Sequence, residues 1–231
     1  MKFIPSESVK NVRWLGKASA LLSKSIEGYV EFYCIRDGDF EYDLDKKMAL
    51  EQSNQKLFVL EKYSIENYII DIELLYRYFL EEFKNYSPFS SLSDCNRKIV
   101  KLIENNKGYF VTEMLKYRIN KHRHFPYNKN NISSYESIKS YINRANEIYA
   151  EEKLLNELEI QEKKFDTYIE NGKWIEFLPG KNLLSLIINK FGKNKISNEK
   201  LKDFLIDEIK KSGIPEELKK IIDKINNSSI N

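Results

Sequence analysis

The chain has 231 residues, of which 42% are hydrophobic and 13% aromatic. That is ample apolar surface for one sizeable core, or for a domain carrying a large insertion, and it excludes a disordered chain. Thirty-eight Lys and Arg against 35 Asp and Glu leave a formal charge of +3, too mild to specify a nucleic-acid partner, so any such reading rests on local clusters.

The two cysteines, Cys34 and Cys95, do not make a disulfide scaffold. The N-terminus MKFIPSESVK lacks an apolar h-region, and no stretch approaches a membrane span. A cytoplasmic protein with no membrane partner is the default expectation.

In chain order, Phe3-Ile4 is a short apolar stub before Pro5. Ser6 or Ser8 then caps a helix carrying Val9, Val12, Leu15, Ala18, Leu21 and Leu22 at helical spacing, broken at Gly28. Tyr29 to Ile35 reads as a strand without strict alternation, as buried parallel strands do, with Cys34 a core residue. It runs into Arg36-Asp37-Gly38-Asp39, which has two readings. Asp-Gly is a favoured hairpin turn, with Phe40-Glu41-Tyr42 as the returning strand. Alternatively, two carboxylates at a strand end hold a divalent metal ion.

Leu57 to Leu60 is a second strand, leading into YSIENYIIDIELLYRYFLEEF. Ser64 is a good N-cap for one long helix with Ile65, Tyr68, Ile69, Ile72, Leu75, Tyr76, Phe79 and Phe83 along one face, which places Glu66 in its first turn. Helices follow around Asn96 to Asn105, Tyr109 to Asn120 and Tyr135 to Tyr168, the last two separated by the loop KHRHFPYNKNN. Trp174 to Leu178 returns to strand character, Pro179-Gly180 turns, and Asn182 caps a helix closed by Gly192. Asn198 to Lys211 and Pro215 to Ile225 are amphipathic helices.

In an open α/β sheet, ligands sit beyond the carboxyl ends of the strands. Three such ends deliver Asp37 and Asp39, then Ser64 and Glu66, then Lys181. Hard carboxylate oxygens suit Mg²⁺ or Mn²⁺, which activates water and neutralises charge on a phosphodiester, while a lysine beside a helix N-terminus holds the phosphate. Glu66 also has an ordinary role as a first-turn acid favoured by the helix dipole, whereas Lys181 runs against that dipole. LPGKN lacks the upstream glycine and the Ser or Thr of a Walker A loop, so ATP binding by this chain is not expected.

Between Lys116 and Lys129, the cations Lys116, Arg118, Lys121, Arg123 and Lys129 interleave with Tyr117, Phe125 and Tyr127. This pattern suits a nucleic-acid backbone with stacked bases and equally suits a solvated helix end and loop. His122 and His124 have no companion ligands that would make a zinc site.

The strand ending in IRDGDF, followed by YSIENYI and later by FLPGKNLL, resembles the TOPRIM-like domain family whose genes often neighbour those of ATPases in bacterial anti-phage loci. The OLD nucleases belong to the wider superfamily, as does the TOPRIM effector of PARIS-type systems. The resemblance covers residues 3 to 70 and 172 to 192. It implies an α/β fold with a TOPRIM-like, mostly parallel sheet: a first core part at 1–90, a helical insertion at 91–170, and a core strand and helix plus C-terminal helices at 171–231. It further implies Asp37, Asp39 and Glu66 as ligands of Mg²⁺ or Mn²⁺, Glu66 and Lys181 as catalytic residues, cleavage of DNA or RNA (including tRNA) in phage defence, and an ATPase partner. The family pattern also uses a glutamate on a strand corresponding to a position before Phe3-Ile4. A truncated form, a group supplied by a partner chain, and a non-cleaving relative that binds an ATPase or nucleic acid all remain open.

Overall fold

The computed structural model describes residues 33–39, 57–122, 149–193 and 195–228, together with 143 and 147. Among them the protein is mostly helical, with one two-stranded parallel sheet. The expected helix between Ser6 and Leu22, the returning strand at Phe40 to Tyr42, and Arg123, His124, Phe125, Tyr127 and Lys129 lie outside the described residues.

Strand β1, Cys34–Arg36, pairs in parallel with β2, Leu57–Val59, in the register Cys34↔Leu57, Ile35↔Phe58 and Arg36↔Val59. Alternation along each strand sorts the side chains onto two faces. Cys34, Leu57 and Val59 cluster on one. Phe58 and Leu60 cluster with Tyr68 on the other, where Ile221 and Ile225 cover them. Because both faces are covered, β2 is an uninterrupted apolar run.

The Asp37-Gly38 pair does not make a two-residue hairpin. Past the strand ends the two segments stay side by side: Leu60 N–H donates to the Arg36 carbonyl at 2.9 Å, Gly38 N–H to that of Lys62 at 3.2 Å, and Asp39 N–H to that of Tyr63 at 2.8 Å. A Cβ on residue 38 would lie 2.3 Å from the Lys62 carbonyl oxygen and 2.6 Å from that of Leu60, so only glycine permits this approach.

The long helix expected from Ser64 is broken in two. Ile65–Tyr68 forms a single 3-10 turn, and the α-helix proper, α1, spans Ile72–Phe83 with Asp71 as its N-cap, accepting from the Glu73 and Leu74 N–H groups. The interruption turns Asn67 fully inward and leaves Ile65 half exposed, which a continuous apolar stripe would not do. The described helices continue as α2 Leu92–Asn105, α3 Lys107–His122, α4 Glu151–Glu170, α5 Trp174–Phe177, α6 Gly180–Phe191, α7 Asn198–Ser212 and α8 Glu216–Ser228. Lys121 and His122 are thus helical rather than part of a loop. The helix expected from Tyr135 to Tyr168 is interrupted at Tyr149 and Ala150 before α4 begins.

The chain divides into two compact units, one of residues 1–97 and 175–231 and the other of 98–174. In the first, Phe79 of α1 meets Phe89 edge-to-face at 5.1 Å, and Phe89 meets Phe191 of α6 at 4.8 Å. Tyr78 packs on Phe204 of α7 at 4.9 Å. In the second, α3 and α4 pack through stacked Phe110 and Phe165, and Lys107 pairs with Asp166 at 2.8 Å. No helix among the described residues is long and apolar enough to cross a membrane.

Trp174 to Leu178 is not a strand. Trp174–Phe177 is one helical turn, and backbone carbonyls in and just after it serve the segment after β2 instead of a ladder: Glu176 accepts from Tyr63 N–H at 2.8 Å, and Ile175 and Leu178 accept from the Asn67 side chain. A short, mostly apolar run fits either a strand or a buried helical turn, and here the hydrogen bonds to Tyr63 and Asn67 decide.

Candidate functional site

Three sequence segments meet at the carboxyl ends of the parallel strands. Asp37 follows β1 directly, and its carboxylate accepts from Ile65 N–H, the first residue of the 3-10 turn, at 3.2 Å. This bond sets the β1 exit against the β2 exit. Glu66 is the next residue of that turn, and its carboxylate receives Lys202 Nζ of α7 at 3.3 Å. Asp39 adopts a left-handed backbone with φ 49°, and its carboxylate accepts from Arg36 Nη2 at 3.3 Å.

Asp39 and Glu66 both act on Asp37. The Asp37 carboxyl is raised above its usual value, first by partial loss of hydration although much of the residue faces solvent, then by the charges of Asp39 and Glu66; the Ile65 N–H and Arg36 oppose the shift. Glu66 is moved the other way. Loss of hydration is its largest single influence and would raise it, but its own backbone N–H, the Ser64 hydroxyl and Lys202 together outweigh that and lower it. Among the described residues no three His, Cys, Asp or Glu side chains are gathered closely enough to hold a metal ion as they stand. Carboxylate oxygens are the donor type that hard cations take, but in their present spacing these acids serve Ile65, Arg36 and Lys202.

Arg36 was not singled out as a site residue by sequence, although it stands within the first motif. Its side chain is 8% exposed, and its Nε and Nη1 are buried without a hydrogen-bond partner among the described residues. A buried guanidinium with donors left unused costs stability.

The second and third motifs are joined by Asn67. Its side chain is fully buried, and its Oδ1 accepts from Ser64 N–H at 3.0 Å, Ser64 Oγ at 2.7 Å and Gly180 N–H at 3.2 Å. Its Nδ2 donates to the carbonyls of Ile175 and Leu178. A Cβ on residue 180 would sit 2.7 Å from Asn67 Oδ1 and 2.9 Å from Asn67 N, so Gly180 is required for this contact. Ser64-Ile65-Glu66-Asn67 and Pro179-Gly180-Lys181 are therefore two halves of one lock.

Lys181 follows Gly180 as the second residue of α6 and is exposed. The helix begins with Pro179 as N-cap, so Asn182 lies inside the first turn rather than capping it. The Gly180 hydrogen bond fixes Lys181 to the backbone that carries Glu66.

The basic stretch is organised differently. Lys116 pairs with Glu113 at 2.7 Å, and Arg118 pairs with Glu157 of α4 at 3.2 Å. Both cations are on α3 and are paired with acids of the unit of residues 98–174. Lys164, which sequence reading passed over, joins Arg118 and Glu157; burial first and Arg118 second hold its amine below the usual value.

Comparison with models of protein families, with curated proteins and with solved structures returned no match.

Proposed function

We propose that the chain is a metal-dependent phosphodiesterase of TOPRIM type that cleaves DNA or RNA, in partnership with an ATPase in anti-phage defence. The observation that carries the reading is the convergence of Asp37, Asp39 and Glu66 at the carboxyl ends of two parallel neighbouring strands, close enough for the charges of Asp39 and Glu66 to raise Asp37. The family and the ATPase rest on the resemblance of the three motifs alone.

In this reading Asp37, Asp39 and Glu66 hold Mg²⁺ or Mn²⁺, which when bound polarises the phosphate and lowers the pKa of water. The chain's own residues position the parts. Asp37 anchors the 3-10 turn through Ile65, Asn67 fixes the Pro-Gly-Lys turn, and exposed Lys181 faces a phosphate as a point charge. Mn²⁺ titration by calorimetry of the natural chain and of Asp39→Ala tests the metal site, expecting saturable binding lost in the variant. Cleavage of labelled DNA and RNA should then fall about 10²-fold or more in Lys181→Ala. Cleavage unaffected by either substitution would refute the assignment.

A second reading, a non-cleaving interaction subunit, is favoured by the engagement of every acid: Asp37 by a backbone N–H, Asp39 by Arg36 and Glu66 by Lys202. Absence of Mn²⁺ binding, with stable association to an ATPase, would select it.

A further inference from the structure

We infer that Arg118 of α3 and Lys164 of α4 are the two arms of an anion site on the helical unit of residues 98–174, which takes one compact oxyanion, a phosphate group carried by a small molecule. The inference goes beyond the phosphodiesterase reading and stands apart from it, since it uses no residue of the strand ends.

Helix register brings the groups together. Lys107 pairs with Asp166 and Arg118 with Glu157, so α3 and α4 run antiparallel. Long side chains on a helix lean toward its N-terminus, and in an antiparallel pair Arg118 and Lys164 therefore lean toward one another. Glu157, Gln161 and Lys164, at i, i+4 and i+7, share one stripe of α4. Gln161 is fully buried, and its Nε2 donates to the same Glu157 Oε1 that receives Arg118 Nε. The carboxylate is thereby held in place by a buried amide. Among the described residues Arg118 spends only Nε in hydrogen bonding, which leaves both Nη groups for another acceptor.

Neither cation has a simpler partner. Three and four residues from Lys164 on α4 stand Ile160, Gln161, Thr167 and Tyr168, and around Arg118 on α3 stand Met114, Leu115, Lys121 and His122, so neither helix offers an acid at pairing distance. Lys116, Lys210 and Lys211 do find one on their own helices. Among the described residues Lys164 makes no hydrogen bond or ion pair. Burial first, then the charge of Arg118, weaken its hold on a proton, and Glu157 offsets only part of this. Two cations against one carboxylate leave one positive charge uncompensated where water is partly excluded. A phosphate group meets that need: its several oxygens accept from the free end of the Arg118 guanidinium and from the Lys164 ammonium together, and its charge keeps the amine protonated. The remaining acids of α4, Glu151, Glu152, Glu159, Glu162, Asp166 and Glu170, repel a polyanion laid along the helix and favour a compact ligand over a nucleic-acid strand.

The test is titration of the full chain with inorganic phosphate by calorimetry at neutral pH. The natural protein is compared with Lys164→Met, which keeps the stem and removes the charge, with Lys164→Arg, which keeps the charge, and with Glu157→Gln, which removes the competing acid. The natural chain should bind phosphate saturably. Binding should weaken about tenfold or more in Lys164→Met, stay within about threefold in Lys164→Arg, and tighten about two- to fivefold in Glu157→Gln. In urea unfolding without phosphate, Lys164→Met should be at least as stable as the natural chain, because a charge repelled by Arg118 is gone. No phosphate binding by the natural chain, or binding unchanged in Lys164→Met, would overturn the inference. A Lys164→Met chain of much lower stability would overturn it as well, by making Lys164 a structural residue. So would a single-stranded oligonucleotide that binds through Lys164 where phosphate does not, which would assign the two cations to a nucleic-acid backbone.

Discussion

Replacing Asn67 is the most informative single perturbation of the architecture, because one side chain makes five hydrogen bonds across 108 to 113 residues of sequence as well as within its own turn. In Asn67→Ala the Ser64 and Gly180 N–H groups lose their acceptor, and the Ile175 and Leu178 carbonyls lose their donor. Ser64 Oγ can rotate, but the backbone groups cannot. Two orphaned buried N–H groups at about 1–3 kcal/mol each put the loss at about 3–5 kcal/mol, a large share of a typical domain's stability. Asn67→Asp sharpens the test. It keeps the acceptor for Ser64 and Gly180 but sets a carboxylate oxygen against two carbonyls, so at neutral pH it should be worse than alanine, and it should recover in part as acid protonates the carboxyl into a donor. Urea unfolding followed by fluorescence gives the global cost, and amide hydrogen exchange at Ser64 and Gly180 reads the lock directly. An Asn67→Ala protein within about 1 kcal/mol of the natural one, with both amides still protected, would refute this account.

Further outcomes follow from the same geometry. Gly38→Ala forces a Cβ to within 2.3 Å of a backbone oxygen, and should cost about 1–3 kcal/mol in urea unfolding by prying β1 and β2 apart at their exits. Tyr68→Phe removes a buried hydroxyl that donates to Glu217 and accepts from Lys62 N–H, and whose ionisation burial and Glu217 push far upward; a loss of about 1–2 kcal/mol, with faster amide exchange in α8, is expected. The acids should have opposite effects on stability. Glu66, lowered in the folded chain, adds stability that is complete above its unfolded value of 4.5 and fades as the pH falls through its folded value. Glu66→Gln should thus lower the urea midpoint at pH 7, with the difference shrinking in acid. Asp37, raised above 3.8, favours the folded state only when protonated, and that gain is lost as the pH rises through its folded value. Asp37→Asn, which keeps the acceptor for Ile65 N–H, should raise the midpoint slightly at pH 7.

The position of β2 was legible because Leu57 to Leu60 is an unbroken apolar run, and such runs belong to strands covered on both faces. The end of α6 was legible from Gly192. The helical turn at Trp174–Phe177 was not, since so short a segment, three apolar residues and Glu176, carries no period and its conformation follows from hydrogen bonds to Tyr63 and Asn67. The break between Ser64 and Asp71 was hidden for a related reason. Local preference favours one helix from a good cap, but the partners that draw Asn67 inward lie more than a hundred residues away. In the site, Asp37, Asp39 and Glu66 could be named from their segments. Arg36 and Lys202 could not, because a buried arginine and a lysine facing a distant glutamate leave no mark on local sequence.

The Asn67 lock also bears on the order in which the protein comes into being. During synthesis the acids of the first two motifs emerge long before Ile175 to Gly180, and Lys202 and Glu217 come later still. A nascent chain that has reached only residue 170 holds Asp37, Asp39 and Glu66 but none of the backbone partners of Asn67 beyond its own turn. The Asn67 lock and the Lys202 pairing of Glu66 are thus completed only when the C-terminal quarter of the chain is available, and an interrupted translation product carries the acids without either.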